Sequence, residues 1–224
     1  MKKLAWGGVV QNREERHLLK RQVVLQVAAK TIRQKGYNQT TLTDISGALH
    51  ISKPALYYYF ESKDQIMFEI QHLAIDMLLD DSPADRQNPF LPGLSVTDRL
   101  AQFVRRYVRM ITSDYGACLI LTSRQALAPE SRRRLVGALR PIDQFMKDIV
   151  GDGIAEGFFV ASNLRLTTSF IFGALNWIPT WYRSDDTTSL EDLCEAMVAH
   201  IVGALSAPPA TSAARKVKKA KAGR

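Results

Sequence analysis

One stretch of the chain, from residue 40 to residue 64, contains several signals for the start of a helix. Thr41 and Asp44 can form a capping box, in which each side chain bonds the other residue's backbone N–H group. Apolar side chains then recur at helical spacing, at Leu42, Ile45 and Leu49. We therefore predict a short helix that begins at Thr41 and ends at a turn formed by His50 and Ile51.

A second and a third helix are predicted directly after this turn. Ser52 is a favoured N-cap residue, and Pro54 suits a first helical turn because its missing N–H group would have no partner there. Ser62 and Gln65 form another capping box, so the third helix starts with its positive N-terminus beside Lys63. Such a helix start can bind a phosphate group. Two short helices, a tight turn and an anion site together make a candidate DNA-reading motif.

The order of residues in this stretch resembles the N-terminal domain of TetR-family transcriptional regulators. The family pattern is a Thr pair, an Ile-Ala step, a Val-Ser turn, Leu-Tyr-x-aromatic-Phe and, three residues later, Lys. The matching positions are Thr40-Thr41, Ile45-Ser46, Ile51-Ser52, the run from Leu56 to Phe60, and Lys63. The usual Gly of the turn is His50 here, which carries backbone strain if its φ angle is positive.

We predict a DNA-binding surface of nine residues. They are Thr41, Ser52, Lys53, Pro54, Ala55, Tyr57, Tyr58, Tyr59 and Lys63. Lys53, Pro54 and Ala55 are expected to approach base edges, whereas Thr41, the three tyrosines and Lys63 are expected mostly to hold phosphates. Phosphate contacts position such a motif on the duplex, and base contacts select the sequence.

The charge of the chain is concentrated at its ends. Residues 1 to 64 carry eleven Lys and Arg against five Asp and Glu, and residues 207 to 224 carry six against none. The net charge is +8, so the part between these ends is acidic. Basic ends are typical of a nucleic-acid footprint, and an ordinary solvated basic surface is the alternative.

The rest of the folded chain is predicted to be helical, and the fold class is all-α. No segment alternates apolar and polar residues with period two, so strands are not expected. The predicted helices cover residues 13–35, 62–79, a segment capped by Ser95 and Asp98, 117–127, 129–157, 163–182 and a segment capped by Ser189 and Asp192. Gly36 and Gly157 are the expected stops of two of them.

These patterns divide the chain into four predicted parts. We predict a mobile N-terminal arm at residues 1–12 and a helix-turn-helix DNA-binding domain at 13–64. A ligand-binding and dimerisation domain is predicted at 65–206, and a disordered basic tail at 207–224. The tail could hold DNA phosphates without sequence preference or serve only to keep the chain in solution.

The helix predicted over residues 163–182 is apolar nearly all round, so a second copy of the chain is expected to cover it. In the TetR family the last two helices typically form a four-helix interface between two subunits. A homodimer would place two DNA-reading motifs on successive turns of a palindromic operator in double-stranded DNA. The alternative is that the helix is buried wholly within its own domain.

A small-molecule pocket is predicted around the same helix, because a mostly apolar surface with a few polar groups is typical of ligand sites. Its predicted residues are Phe103, Tyr107, Met110, Arg124, Phe145, Phe170, Ala174, Asn176, Trp177 and Trp181. Plain core packing is the alternative for each. The run FGALNWIPTWY, residues 172–182, resembles TetR relatives of fatty-acid and steroid catabolism, several of which sense acyl-CoA thioesters. This resemblance implies a hydrophobic effector, with an acyl-CoA as one candidate, and arginines such as Arg105 and Arg109 could meet its phosphates.

Sequence motifs of enzymes and metal sites are missing. The four histidines are scattered, and no HExxH, GxSxG or Gly-rich phosphate loop occurs. Cys118 and Cys194 have no spacing that indicates a metal site or a disulfide framework, which favours the reducing cytoplasm. The longest uncharged stretch, residues 166–182, is shorter than the roughly 20 residues that a bilayer requires. We expect no cofactor, no metal and no membrane association.

The sequence thus predicts a ligand-responsive DNA-binding regulator, most simply a repressor that a small molecule releases from its operator. We expect the ligand to shift the helix at residues 62–79 and so to change the separation of the two DNA-reading motifs. A nucleoid-type protein is one alternative, and its DNA binding would depend on residues 207–224. A lipid- or CoA-handling enzyme is the other, and its activity would survive Tyr57→Ala and Lys63→Ala.

Overall fold

A computed structural model describes residues 13–79, 93–160, 163–183 and 187–206. The predicted N-terminal arm and basic tail, and most of the loop predicted before Ser95, lie outside these ranges. The helices are α1 (Arg13–Lys35), α2 (Leu42–Ala48), α3 (Lys53–Tyr57), α4 (Lys63–Leu79), α5 (Val96–Thr112), α6 (Asp114–Leu121), α7 (Pro129–Ala155), α8 (Leu164–Asn176), α9 (Ile178–Trp181) and α10 (Leu190–Leu205), with a 3₁₀ turn at Arg124–Ala126. The described ranges contain no strand beyond a single bridge between Phe159 and Ser206. The all-α prediction is confirmed.

The described residues divide into two compact units. The first unit contains residues 13–78 and 110–138, and the second contains residue 79 with 93–109 and the described residues from 139 onward. The first unit therefore holds α1–α4, α6 and the first part of α7. The functional boundary predicted near residue 65 lies inside the first unit and stays a prediction. Among the described residues, no helix is both long enough and apolar enough to cross a membrane.

The core of the first unit forms where α1 packs against α2 and α6. α1 contributes a buried stripe of Val24, Leu25, Ala28, Ala29 and Ile32. The Cys118 thiol of α6 lies in this core and donates to the Ala29 carbonyl over 3.3 Å. Burial raises the pKa of Cys118 to about 12, so the thiol stays protonated and is not a nucleophile at neutral pH.

The core of the second unit is built from α5, the later part of α7, α8 and α10. Its buried residues include Leu100, Val104, Met146, Ile149, Ile171, Leu175, Leu193 and Ile201. Arg105 forks onto Glu195 with N–O distances of 2.5 and 2.7 Å, and Arg109 contacts Glu191 at 2.6 Å. These pairs join α5 to α10. The expectation that both arginines are available for ligand phosphates is therefore corrected.

Two predicted helix boundaries are wrong. The helix expected at 117–127 starts earlier, because Ser113 caps it through the Gly116 N–H group at 3.0 Å, and it ends at Leu121. The helix expected over 163–182 is split into α8 and α9 at Trp177. Pro179 explains the split, since proline has no N–H group for the Leu175 carbonyl and its ring crowds that carbonyl.

The turn between α2 and α3 is a Schellman motif. The Ile51 N–H group donates to the Ser46 carbonyl over 3.0 Å, and the His50 N–H group donates to the Gly47 carbonyl over 3.0 Å. His50 occupies the position that usually holds glycine and has a φ angle of +54°. A side chain in this left-handed region strains the backbone, so the strain expected from the sequence is present.

Replacing His50 with Gly is expected to raise the free energy of unfolding by about 1 kcal/mol, because glycine adopts this φ without strain. Urea unfolding followed by circular dichroism would measure the change. His50→Ala is the control, since it removes the imidazole but keeps a β-carbon at positive φ. Equal stabilisation by both variants would show that the imidazole, not the backbone angle, is responsible.

Candidate functional site

The start of α2 shows the predicted capping box. The Asp44 N–H group donates to the Thr41 hydroxyl over 3.1 Å, and the Thr41 N–H group donates to the Asp44 carboxylate over 2.8 Å. Lys35 also donates to Asp44 over 2.6 Å. Lys35 and then Thr41 hold the pKa of this carboxyl well below its usual range, so the cap stays ionised at neutral pH.

Helix α3 presents a polar edge because its other face is anchored in the core. Ser52 caps it by accepting from the Ala55 N–H group over 3.3 Å, and Leu56 and Phe60 are fully buried. Lys53 and Pro54 are exposed in its first turn. A short helix whose exposed first turn carries a lysine has the shape and charge required to enter the major groove of DNA.

The rings of His17, Tyr58 and Tyr59 form an aromatic cluster beside α3. Tyr58 and Tyr59 meet edge to face at 5.1 Å between centroids, and the His17 ring of α1 lies 5.6 and 5.1 Å from them. Tyr57 and Tyr58 are exposed, Tyr58 at 66%, and Tyr59 is half-buried. The hydroxyl-bearing rings thus line the outside of the motif, where they can reach a phosphate backbone.

Arg21 of α1 holds the segment in which the chain passes from α3 to α4. Its guanidinium contacts the Glu69 carboxylate and the Tyr59 carbonyl, and it lies 4.1 Å above the Phe60 ring. Arg21 therefore ties α1 to α4 and orients the DNA-reading motif from inside the first unit.

The start of α4 is held from both sides. Lys63 Nζ donates to the carbonyls of Tyr37 and Thr40 over 2.7 and 2.9 Å, and burial lowers its pKa. An ammonium group has three donors, so one is left for a DNA phosphate.

Asp64 accepts from the Ala128 N–H group over 3.0 Å and from the Ser131 hydroxyl. Asp64 therefore caps α7, a role that the sequence did not indicate.

The nine predicted DNA-binding residues all belong to one continuous region from α2 to the start of α4. Thr41, Ser52, Lys53, Pro54, Tyr57 and Tyr58 are exposed, and Ala55, Tyr59 and Lys63 are half-buried. None is enclosed in the core. Their contacts with DNA stay a prediction.

An aromatic cluster in the second unit contains part of the predicted ligand site. The cluster is Phe103, Tyr107 and Phe172, with centroid distances of 5.4 to 6.2 Å. The Tyr107 hydroxyl donates to Asn176 Oδ1 over 2.8 Å. Phe103, Tyr107 and Asn176 are therefore brought together, and Phe172 joins them.

The other predicted ligand-site residues are spread more widely. Phe145 and Ala174 are half-buried in the second unit, whereas Met110 and Arg124 belong to the first unit, Met110 buried and Arg124 exposed. Phe170, Trp177 and Trp181 are 62%, 67% and 49% exposed. The last three are exposed in the protomer, and their place in a ligand pocket stays a prediction.

These three side chains belong to an outer apolar face on α8 and α9, which we define as Leu166, Phe170, Trp177 and Trp181. They are spaced by four, seven and four residues, which is the spacing of positions on one side of a helix. All four are exposed. Large apolar side chains grouped in this way mark surfaces that another protein covers.

The described ranges contain neither a metal-ligating cluster nor a disulfide. No group of three or more His, Cys, Asp or Glu side chains there could hold a metal ion. Cys118 and Cys194 are both buried and unbridged.

Two family models together match most of the chain. Residues 24–70 match "Bacterial regulatory proteins, tetR family", and residues 93–205 match "Tetracyclin repressor-like, C-terminal domain". A curated relative is the fatty acid metabolism regulator protein of Bacillus subtilis (strain 168), 20% identical over 186 residues, which are 81% of this chain and 93% of the relative. Another is the HTH-type transcriptional repressor KstR2 of Rhodococcus jostii (strain RHA1), 22% identical over 193 residues, 84% of this chain and 92% of the relative.

A solved structure of AibR in complex with isovaleryl coenzyme A and operator DNA has the same fold. The TM-score is 0.69 with 20% sequence identity, and the match covers 81% of this chain and 97% of AibR.

Proposed function

The chain belongs to the TetR family of ligand-responsive bacterial transcriptional regulators, and on that premise we propose that it is a repressor that binds a palindromic operator as a homodimer. The observation that carries the proposal is the geometry of α3. Its Ser52 cap and its buried Leu56 leave Lys53 and Pro54 exposed in the first turn. The family consists of DNA-binding regulators rather than enzymes, which removes the enzyme alternative.

Base reading is assigned to the first turn of α3. A lysine there can donate to the O6 and N7 acceptors of guanine in the major groove. Lys53 Nζ lies 5.9 Å from the Tyr57 ring centre, so it rests beside an aromatic surface in the free protein. The exposed tyrosine hydroxyls and the remaining donor of Lys63 would hold phosphates on either side.

Dimerisation is supported by the outer apolar face. A charged or polar surface would be expected at these positions of an isolated protomer, yet four large apolar side chains stand there in water. A second copy that covers this face would bring two DNA-reading motifs into one complex, as recognition of a palindrome requires. The operator is then a palindrome whose half-sites mirror the two-fold axis.

A hydrophobic effector, with an acyl-CoA as the candidate, is supported by the aromatic cluster and by the names of the relatives. One relative is named a fatty acid metabolism regulator protein, and AibR binds isovaleryl coenzyme A in its solved complex. For the effector to release DNA, it must prefer a dimer whose motifs no longer match the grooves. Reversal of a 99:1 population requires a preference of about 10⁴-fold between the two states.

The test is selection of bound sequences from random double-stranded DNA, with the full chain and a chain ending at residue 206. Enrichment of one palindrome by both proteins is the expected result, and a cytoplasmic repressor would then release that DNA when an acyl-CoA is added. If no sequence is enriched and deletion of residues 207–224 abolishes binding, the nucleoid-type alternative replaces the proposal.

Lys53→Ala is expected to weaken operator binding by about 10- to 100-fold, the cost of losing one good base contact, and to relax selectivity at one base pair of each half-site. Fluorescence anisotropy with the selected operator and its single-base variants would measure both effects. Lys30→Ala, which removes an exposed lysine from α1, is the matched control. A uniform loss across all operator variants would instead make Lys53 a phosphate contact.

A further inference from the structure

A run of arginines surrounds the beginning of α7. Residues 123–134 contain four arginines against one acidic residue, Glu130. The arginines are Arg124, Arg132, Arg133 and Arg134, and all four are exposed. The run belongs to the part of the chain that matches the C-terminal family model, residues 93–205, and not to the part that matches the N-terminal one. The DNA-binding surface described above therefore does not include it.

The beginning of α7 is fastened to the beginning of α4. The Ser131 hydroxyl donates to the Asp64 carboxylate, and the Arg134 guanidinium lies 4.2 Å above the Phe68 ring. All of these residues belong to the first unit, as does the whole helix-turn-helix motif. The arginine run is therefore attached to the helix whose first residue, Lys63, keeps one donor for a DNA phosphate.

Two of the four arginines are not used by contacts within the protein. Arg133 pairs with Glu130. Neither Arg124 nor Arg132 makes a side-chain hydrogen bond, an ion pair or a ring contact with any other residue in the described part of the chain. Exposed like charges repel one another, so an anion bound beside these two guanidinium groups would lower the electrostatic free energy of the surface.

Both unpaired arginines lie close to Lys63. Arg132 directly follows Ser131, which bonds the carboxylate of the residue after Lys63. Steps of about 3.8 Å between consecutive Cα atoms put the Cα atoms of Arg132 and Lys63 within roughly 15 Å of each other. Arg124 lies four residues before Ala128, whose N–H group donates to the same carboxylate over 3.0 Å. Duplex DNA carries one negative charge for about every 1.7 Å of its axis, so a strand held at Lys63 offers several more phosphates within this distance.

We propose that Arg124 and Arg132 bind the phosphate backbone of DNA, so that the DNA-binding surface extends from the helix-turn-helix motif to the 3₁₀ turn and the first turn of α7. A guanidinium group is always charged, and its planar donors match the oxygens of a phosphate. Contacts of this kind add affinity and read no bases. The inference rests on the proposed function and deepens it, since it enlarges the interface with the same DNA.

The test variant carries Arg124→Gln and Arg132→Gln, because glutamine keeps a polar side chain and a good helix propensity but has no charge. Lys30→Gln with Arg140→Gln is the matched control, since it removes the same number of charges from exposed positions. A third protein carries Arg124→Lys and Arg132→Lys, which keep the charges. Fluorescence anisotropy measures the affinity of each full-length protein for the selected operator and for an unselected duplex, at salt concentrations from about 50 to 200 mM.

The glutamine variant is expected to bind both duplexes at least about tenfold more weakly than the wild type, because phosphate contacts do not depend on sequence. A plot of log affinity against log salt concentration loses about 0.9 in slope for each phosphate contact, so two arginines in each of two protomers should flatten the operator plot by about 3 to 4. The lysine variant should keep the wild-type slope. The control should match the wild type in affinity and slope.

Three results would overturn the inference. If the glutamine variant binds both duplexes as the wild type does, the arginines do not meet DNA, whereas the proposed function stands as long as one palindrome is selected. If the control weakens binding as much, the effect comes from net charge and not from position. If the lysine variant loses slope as the glutamine variant does, the guanidinium groups act on the protein's own structure.

A fourth result separates the inference from the proposed function in the other direction. If no palindrome is selected but the glutamine variant still binds the unselected duplex more weakly and with a flatter salt dependence, the arginine contacts stand and the sequence-specific repressor does not.

Discussion

A protein carrying Phe170→Glu and Trp177→Glu is expected to be a folded monomer that binds its operator at least about a hundredfold more weakly than the wild type. Both side chains are exposed in the protomer, so their replacement leaves the core of the second unit intact. In the proposed dimer, however, the variant would bury unpaired carboxylates. Loss of the dimer removes the second DNA-reading motif from the same complex, and with it the high effective concentration of that motif.

Light scattering after size-exclusion chromatography would give the mass, and anisotropy would give the affinities for a full palindrome and for an isolated half-site. The half-site affinity should be unchanged, since α3 is far along the chain from both substitutions. Leu121→Glu adds one such carboxylate at an exposed apolar position outside the outer apolar face and serves as the control. A double variant that still runs as a dimer would show that another surface joins the subunits.

Gly116→Ala is expected to destabilise the first unit by about 3 kcal/mol or more, a large share of the 5–15 kcal/mol typical of a domain. Gly116 is buried in the first turn of α6. A β-carbon there would lie 1.9 Å from the Met110 carbonyl oxygen and 2.8 Å from the Ile111 Cα atom, both of which are backbone atoms. The Ser113 N–H group and hydroxyl donate to the same Met110 carbonyl over 3.1 and 2.7 Å, so that oxygen is held in place.

Urea unfolding would measure this loss, or the variant would be recovered only as insoluble protein. Gly137→Ala is the control within the same unit, because a β-carbon at this helical position of α7 meets nothing within 4 Å. It should be stabilising by about 1 kcal/mol, the helix-propensity difference between the two residues. If Gly116→Ala is tolerated as well as Gly137→Ala, the close approach of α6 to Met110 is not a fixed feature of the fold.

Helix starts and stops could be predicted from the sequence because each is made by residues close together in the chain. Thr41 with Asp44 and Ser189 with Asp192 form their caps over three residues, as predicted. Gly157 stops α7 at a positive φ, again within one turn. Periodicity indicated Leu42, Ile45 and Leu49 as the inner face of α2, and of these Ile45 is fully buried and the two leucines are half-buried.

The inward side of α8 could not be predicted, because periodicity does not say which apolar side of a helix faces the core. On α8 nearly every side is apolar, so Phe170 and Trp177 could not be told apart from Phe172. Packing against α5 turns Phe172 toward Phe103 and Tyr107 and leaves the other two in solvent. The break at Trp177 was also not predicted, because the apolar pattern continues through Pro179.

Three properties follow from local sequence: the helical class of the chain, the caps that place α2, α3 and α10, and the order of residues that resembles the TetR family. All of these depend on bonds and spacings within a few residues. The tertiary structure decided which polar groups are already used, since the pairs Arg21–Glu69, Asp64–Ser131 and Arg105–Glu195 join residues far apart in the chain. Burial depends on what every other element covers, and no local pattern contains that information.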